Sequence, residues 1–440
     1  MTLFGTDGVR GRANELLTPE LALRLARATA EELGASGGRA IIGRDTRTSG
    51  PMLEAALAAG LAAAGVDVYL AGIIPTPAIS FLIKDELADF GAVVSASHNP
   101  PTDNGIKFFD KCGMKLSVDV ERAIEARLEA GVATGGPCGK IFDIEAAATR
   151  YAAFLSGSID VEAIDLSGHR LVVDCAFGAT SKIAPHVLRH LGAEVIELNT
   201  EPDGLRINQN CGSTHLDAVR GAVSQHGADL GIAFDGDGDR VLLVGASGRT
   251  IDGDQMMGIV ALHMEQRGTL SPKTVVATVM SNLGLEQILA ERGIRLHRTP
   301  VGDRNVSQAL VVEGAQLGGE QSGHIVFADH SPTGDGILTV VKLLEVAHED
   351  GRDLETLADQ IPLYPQRHRT FPCDDSDGVL GAAEVADAIA AADEHLGGRG
   401  RIIARGSGTQ PLLRLTVEAE TEGLCADVAA ALAAAIEANL

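Results

Sequence analysis

The chain predicts an α/β fold: three similar α/β domains with mixed sheets, then a smaller C-terminal α+β domain, grouped around a central cleft. Three observations lead there. Short apolar runs alternate with helical stretches of about 10–15 residues through most of the sequence. At 440 residues the chain is too long for one core and suggests about three or four domains. From about Pro362 the alternation gives way to three strands, a helix and an Ala-rich terminal helix.

The first domain, 1–152, opens on Phe4-Gly5-Thr6-Asp7-Gly8-Val9-Arg10-Gly11, a loop flexible enough to approach an anion closely. Thr18 starts a helix over 18–33 that ends near Gly34. A strand at 39–43 runs into the charged loop Arg44-Asp45-Thr46-Arg47. Helix 50–64, strand 66–71, a Pro75-Thr76-Pro77 turn, helix 78–87 and strand 91–94 continue the alternation. Asn104-Gly105 reads as a hairpin turn that returns Lys107 beside the loop after that strand. Helices at 118–130 and 144–155 close the domain.

The second domain, 153–249, reads as strand 171–174, helix 181–191, strand 193–198, helix 216–225 and strand 228–234. The third, 250–361, reads as helix 252–267, strand 274–278, helix 284–292, strand 294–298, helix 303–313, strand 315–318 and helix 334–349. The last, 362–440, has strands at 366–373, 401–404 and 412–419, a helix at 382–396 and a terminal helix.

Composition narrows the partners. Sixty acidic against 36 basic residues leave a net charge of −24, the opposite of a nucleic-acid binder, and aromatics are only 3% with no Trp. An anionic substrate then needs locally gathered Arg, Lys and backbone N–H groups. Cysteines 112, 138, 175, 211, 373 and 425 show no CxxC pair or zinc spacing and read as free thiols of a reducing compartment. The N-terminal residues lack the pattern of a signal peptide, and no apolar run approaches the ~20 residues that span a bilayer. The expectation is a soluble, cytoplasmic protein with no membrane partner; a homodimer is compatible with the sequence.

Four loops carry chemistry. In Val94-Ser95-Ala96-Ser97-His98-Asn99-Pro100-Pro101 a buried strand stops abruptly in small polar residues, holding the Ser97 hydroxyl at a sheet rim. In Asp235-Gly236-Asp237-Gly238-Asp239-Arg240, alternate carboxylates separated by glycine converge on a hard divalent cation. A calcium loop of the EF-hand type fails here, because position six is Arg240 and position twelve is Ala246. Gly318-Gly319-Glu320-Gln321-Ser322-Gly323-His324 offers short polar groups suited to sugar hydroxyls, with His324 available as an acid or base. Arg405-Gly406-Ser407-Gly408-Thr409-Gln410-Pro411, with Arg414 beyond, forms a phosphate nest without a Walker lysine. No GxxxxGK[ST] motif or strand-linked GxGxxG occurs, so the phosphate belongs to the substrate rather than to a nucleotide. The first three loops each follow a short strand, a faint internal repeat.

This set, in this order, resembles the α-D-phosphohexomutase family over essentially the whole chain, from Phe4 to Arg414. The opening glycine loop, the Asp-Gly-Asp-Gly-Asp-Arg loop and Gly319–His324 resemble its amino-sugar branch in particular. The glucose and mannose branches more typically carry Met at the position of Gln321. The resemblance implies an intramolecular phosphotransferase of the isomerase class, which moves phosphate between O6 and O1 of glucosamine through a 1,6-bisphosphate and serves amino-sugar precursor synthesis. Ser97 would carry the phosphoryl group, and Asp235, Asp237 and Asp239 with a phosphate oxygen on Ser97 would hold one Mg²⁺. Glu320 and Ser322 would grip sugar hydroxyls, and Arg405, Ser407, Gly408 and Thr409 the phosphate not being transferred. Arg10, Lys107 and His324 fall where the family handles protons and charge. Glucosamine or glucose 1,6-bisphosphate would prime the enzyme, and the last domain would close over the bound sugar to keep water from the phosphoserine. Gln410 departs from the family's usual Glu, while the residues facing phosphate are intact. A phosphatase using Ser97 is the rival of another reaction class, and a sugar-phosphate sensor the non-enzymatic one.

Overall fold

The computed structural model describes residues 3–5, 7–131, 136–159, 164–406 and 411–440 of the 440. These form two compact units: Met1–Met280 with Arg292–Gln360, and Ser281–Glu291 with Ile361–Leu440.

The larger unit is built on three sheets. The first has six strands in the order Val9–Arg12, Asp103–Asp110, Phe90–Val94, Arg39–Arg44, Asp67–Ile73 and Ile141–Asp143. Phe90–Val94 is buried along its whole length, as its unbroken apolar sequence requires of a strand covered on both faces. Helices Pro19–Glu32 and Gly50–Ala63 pack on this sheet and supply Leu25, Leu53, Leu57 and Leu61 to its core. Thr18 caps the first of them by accepting the Leu21 amide at 3.2 Å.

Two local expectations need correction. Asn104 and Gly105 do not make a turn; they lie inside strand Asp103–Asp110, which pairs antiparallel to Phe90–Val94 with Val93 opposite Lys107. The turn is the Ser97 loop itself, and Lys107 still returns beside it. The Pro75-Thr76-Pro77 turn likewise starts a helix, Thr76–Asp85, because proline is tolerated in a first helical turn, where the amide has no partner.

The second sheet runs Thr250–Ile251, Val241–Gly245, Leu230–Phe234, Arg170–Asp174 and Glu194–Leu198. The third runs Arg295–Thr299, Thr274–Thr278, Leu317–Gly319 and Ile325–Phe327. The faint repeat has a structural meaning here. Phe90–Val94, Leu230–Phe234 and Leu317–Gly319 each enter a polar loop and are answered by an antiparallel return strand. The return strands Val241–Gly245 and Ile325–Phe327 escape the sequence pattern; each follows directly on a glycine-containing loop, and the second has only three residues.

The smaller unit has strands Gln366–Pro372, Leu412–Ala419 and Gly400–Gly406 in that order, all antiparallel, against helices Ala383–Leu396 and Glu422–Glu437. Helix Leu283–Glu291 belongs to this unit, and Tyr364 holds it through a 2.7 Å hydrogen bond from its hydroxyl to Gln287 Oε1. The six cysteines are free thiols. Among the described residues no helix is long and apolar enough to cross a membrane.

Candidate active site

The strand-end loops of the first two sheets meet in the larger unit, and Ser97 stands where they meet. Its side chain is buried and its backbone left-handed, with φ +50°. A non-glycine residue in that region is held there by its surroundings. The Ser97 amide donates to Ser95 Oγ at 2.9 Å, and the Ser97 hydroxyl donates to Asp235 Oδ2 at 2.6 Å. His98 Nδ1 lies 3.3 Å from the same hydroxyl, and burial first, then Arg240 and Arg10, depress the His98 imidazole to about 4.

Asp235, Asp237 and Asp239 are buried and present oxygens that all lie within 4.8 Å of one another. Burial and the two neighbouring carboxylates push Asp235 well above the usual carboxylate range. Burial acts the same way on Asp237, but Lys107 and the Thr76 hydroxyl outweigh it and hold Asp237 below its ordinary value. The contacts are short: Lys107 Nζ to Asp237 Oδ2 at 3.0 Å, and Thr76 Oγ1 to the same oxygen at 2.6 Å.

A divalent cation fits this set. Asp237 Oδ1 and Asp239 Oδ1 are buried with no hydrogen-bond partner, and the three carboxylates present oxygens close enough together to share one ion. Asp239 also belongs to a second cluster with Asp303 and His324, but there the ammonium of Lys115 already sits on Asp303.

The predicted charged groups gather around this centre. Lys107 is buried, with Nζ 3.0 Å from Asp237 Oδ2 and from Asp7 Oδ2 and 3.9 Å from Asp239 Oδ2. Burial alone would lower its pKa; the carboxylates more than offset that and push it further up. Arg10 pairs with Asp7 and donates to Asn99 Oδ1 at 3.2 Å. His324 accepts the Gly334 amide on Nε2 at 3.1 Å, which leaves Nδ1, buried and without a hydrogen-bond partner, 3.7 Å from Asp239 Oδ2. Nδ1 is therefore the nitrogen that carries the proton in the neutral ring.

Glu320 is buried; its Oε1 accepts the Gly302 amide at 3.1 Å and its Oε2 the Ser322 hydroxyl at 3.2 Å. In the smaller unit Arg405 stands opposite Arg414 in the antiparallel pair. Ser407, Gly408 and Thr409 lie outside the described residues.

Several residues at this centre carried no assigned role in the sequence reading. Asp7 and Asp303 both bind Lys115; burial pushes Asp7 up, but the opposing charges of Lys107, Lys115 and Arg10 outweigh it and leave Asp7 well below the usual range. Arg304 pairs bidentately with Glu121, one contact measuring 2.9 Å. Thr76 was visible only as part of a Pro-Thr-Pro turn, and Lys115 and Asp303 are isolated charges that only the fold pairs.

Comparison with known proteins agrees with this geometry. Four family models match in order: phosphoglucomutase/phosphomannomutase alpha/beta/alpha domains I, II and III at residues 1–134, 149–248 and 252–364, and the C-terminal domain at 370–435. The chain therefore belongs to the phosphoglucomutase/phosphomannomutase family: an isomerase-class phosphotransferase with three α/β/α domains and a C-terminal domain. More particularly, it is 50% identical over 428 residues to the phosphoglucosamine mutase of Pelotomaculum thermopropionicum, covering 96% of each chain. It is 49% identical over 442 residues to that of Saccharopolyspora erythraea, covering 99% of each. A phosphoglucomutase/phosphomannomutase family protein of Burkholderia thailandensis superposes with a TM-score of 0.85 at 28% identity, covering 100% of this chain and 97% of that one.

Proposed function

We propose that the chain interconverts glucosamine 6-phosphate and glucosamine 1-phosphate through a phosphoserine on Ser97 and a 1,6-bisphosphate intermediate. The observation that carries this is the Ser97 hydroxyl set 2.6 Å from Asp235, within a ring of three buried carboxylates faced by Lys107. Full-length similarity to phosphoglucosamine mutases supports the amino sugar as substrate.

Asp235, Asp237 and Asp239 would hold one Mg²⁺ together with a phosphate oxygen on Ser97. When bound, the cation supplies neutralising charge to the transferring phosphoryl group. Phosphoryl transfer depends on in-line positioning and charge stabilisation, and the chain's own residues serve both. In the first half-reaction the bond from phosphorus to Ser97 Oγ breaks and a bond to the sugar O1 forms. The sugar hydroxyl gives up its proton, and the serine oxygen takes one back. His324, which carries a proton on Nδ1, is at hand to supply the serine oxygen, and the cations Lys107, which is buried, and Arg10 offset the charge that develops. The bisphosphate then reverses and returns its 6-phosphate to Ser97, releasing glucosamine 1-phosphate.

Glu320 and Ser322 are assigned to sugar hydroxyls. Arg405, Ser407, Gly408 and Thr409 are assigned, on sequence grounds, to the phosphate at rest. The proposed domain divisions are 1–152, 153–249, 250–361 and 362–440. Glucosamine or glucose 1,6-bisphosphate is the proposed primer of Ser97, and the scattered free thiols and acidic balance support a cytoplasmic setting.

The test is a product balance. Purified protein, Mg²⁺, glucosamine 6-phosphate and a trace of bisphosphate should yield glucosamine 1-phosphate faster than inorganic phosphate, and faster than glucose or mannose 6-phosphate is converted. Inorganic phosphate released at a rate equal to or above isomerisation would replace the mutase with a phosphatase.

A further inference from the structure

Arg47 is a charged side chain with no exposure at all, one of the largest fully buried groups in the protein. All five of its N–H groups are engaged. Nε donates to Asp45 Oδ2 at 2.9 Å. Nη2 donates to the carbonyls of Ser97 at 2.9 Å and Asn99 at 2.8 Å, and Nη1 to those of Asp103 at 2.9 Å and of Pro100. Four carbonyls of the loop that carries Ser97 thus converge on one guanidinium.

Its counterion is tied to the same loop. Asp45 is fully buried and accepts the Ser95 hydroxyl at 2.7 Å, and Ser95 Oγ accepts the Ser97 amide at 2.9 Å. A second anchor arrives from the turn that follows strand Glu194–Leu198: Asn208 Nδ2 donates to the Ser97 carbonyl at 2.8 Å and to the Asn99 carbonyl at 3.2 Å. Asn208 lies against Gly236 in the carboxylate loop, where an added Cβ would fall 2.7 Å from Asn208 Nδ2 and 2.8 Å from the Ser97 carbonyl oxygen. The peptide of Ser97 is therefore gripped on both sides, by Ser95 at its amide and by Arg47 and Asn208 at its carbonyl. Neither Arg47 nor Asn208 makes a hydrogen bond to the Ser97 hydroxyl or to a carboxylate oxygen of Asp235, Asp237 or Asp239.

We infer that Arg47 and Asn208 are positioning residues for phosphoryl transfer. They hold Ser97 in its left-handed conformation, so that its oxygen is aimed at the carboxylate centre before any substrate arrives. This rests on the mutase reading of Ser97. The conformation is costly for a residue with a side chain and persists only where the surroundings over-determine it, which converging donors on one peptide do. Guanidinium geometry is essential, because an ammonium offers three donors from one point and cannot span four carbonyls and a carboxylate.

Asn208→Ala and Arg47→Lys test the inference, with melting temperature, kcat and KM measured for each. Asn208→Ala removes one side-chain amide and leaves the buried Arg47–Asp45 pair whole, so it keeps the test decisive even if Arg47→Lys does not fold. Expected is a fall in kcat of about tenfold for Asn208→Ala and about 10²-fold for Arg47→Lys, the scale of a misplaced reacting group, with KM for the sugar phosphate within about twofold of wild type. Asn208→Gln, which moves the amide by one methylene, should not restore kcat. Wild-type kcat in folded Asn208→Ala, or a loss confined to KM, overturns the inference. The wild-type protein is assayed alongside for phosphate on Ser97; if it never carries any, the mutase reading itself has failed, whatever the variants do.

Discussion

The Ser97 loop and the Asp235–Arg240 loop both turn a buried strand into an antiparallel partner, and they are built in opposite ways. In the Ser97 loop the Ser97 amide is bound within the loop by Ser95, and the Ser97 carbonyl by side chains brought from elsewhere, Arg47 and Asn208. The carboxylate loop is threaded with glycines and leaves its side chains in conflict. Asp235 is pushed up by burial and by its neighbours, and Asp237 Oδ1 and Asp239 Oδ1 have no hydrogen-bond partner. One loop has its central peptide hydrogen-bonded on both sides; the other leaves carboxylate oxygens without hydrogen bonds. A nucleophile that must be aimed needs the first condition, and a cation site the second, since incomplete charge compensation is what draws the ion.

The contrast can be broken from either side. The largest effect is expected from Ser97→Ala, which deletes the oxygen and leaves the carbonyl anchors in place. Mutase turnover should fall by about 10⁴-fold or more while the melting temperature holds, and turnover within tenfold of wild type would remove Ser97 from the chemistry.

Asp235→Asn should separate function from stability. Without metal, replacing a carboxylate repelled by two others should raise stability by about 1 kcal/mol, read as a higher melting temperature in a chelator. Metal affinity and kcat should drop by about 10²-fold in the same protein. A lower melting temperature would mean that the loop is not in conflict after all.

Gly236→Ala probes the joint between the loops. Its Cβ would meet Asn208 Nδ2, Ile207 Cδ1 and the Ser97 carbonyl oxygen at 2.7, 2.8 and 2.8 Å. Overpacking there should cost about 1–3 kcal/mol, with a kcat loss of about tenfold.

The smallest effect on turnover is expected at the neighbour that touches the carboxylate loop through the Gly336 amide and Gly238 carbonyl, 3.0 Å apart, where the change is in stability alone. Asp335, fully buried with the Tyr151 hydroxyl at 2.6 Å, is raised by burial from 3.8 to about 6. The folded carboxyl binds its proton more tightly than the unfolded one. The stability it contributes is therefore complete below about pH 4 and is lost as the pH climbs through 6. Asp335→Asn should gain on wild type by on the order of 2 kcal/mol between pH 4 and pH 7.5, followed by melting at each pH. A difference that does not move with pH would place the proton elsewhere.

Much of this was legible in the sequence because the chemistry sits in contiguous loops. Ser97, the three aspartates and Glu320-Gln321-Ser322 with His324 announce themselves by composition, and strand-to-loop alternation puts them at sheet ends. What was not legible is what joins the loops. Arg47 appears in sequence only as one member of a charged turn, and nothing local says that its guanidinium lies under a loop 50 residues away. Asn208 and Thr76 reach across from other elements, and Lys115 finds Asp303 only through tertiary packing. Asn104-Gly105 misled for a related reason. Its turn preference is genuine, yet strand pairing on both sides, with Gly11 opposite Asn104 and Val94 opposite Ile106, overrides it.

The most direct measurement is the mass of the intact protein before and after exposure to the 1,6-bisphosphate, followed by peptide mapping. One phosphate-sized increment, mapping to Ser97 and discharged by glucosamine 6-phosphate as glucosamine 1-phosphate appears, is the expected result. An unmodified Ser97 in a protein that still turns over would contradict the phosphoserine mechanism outright.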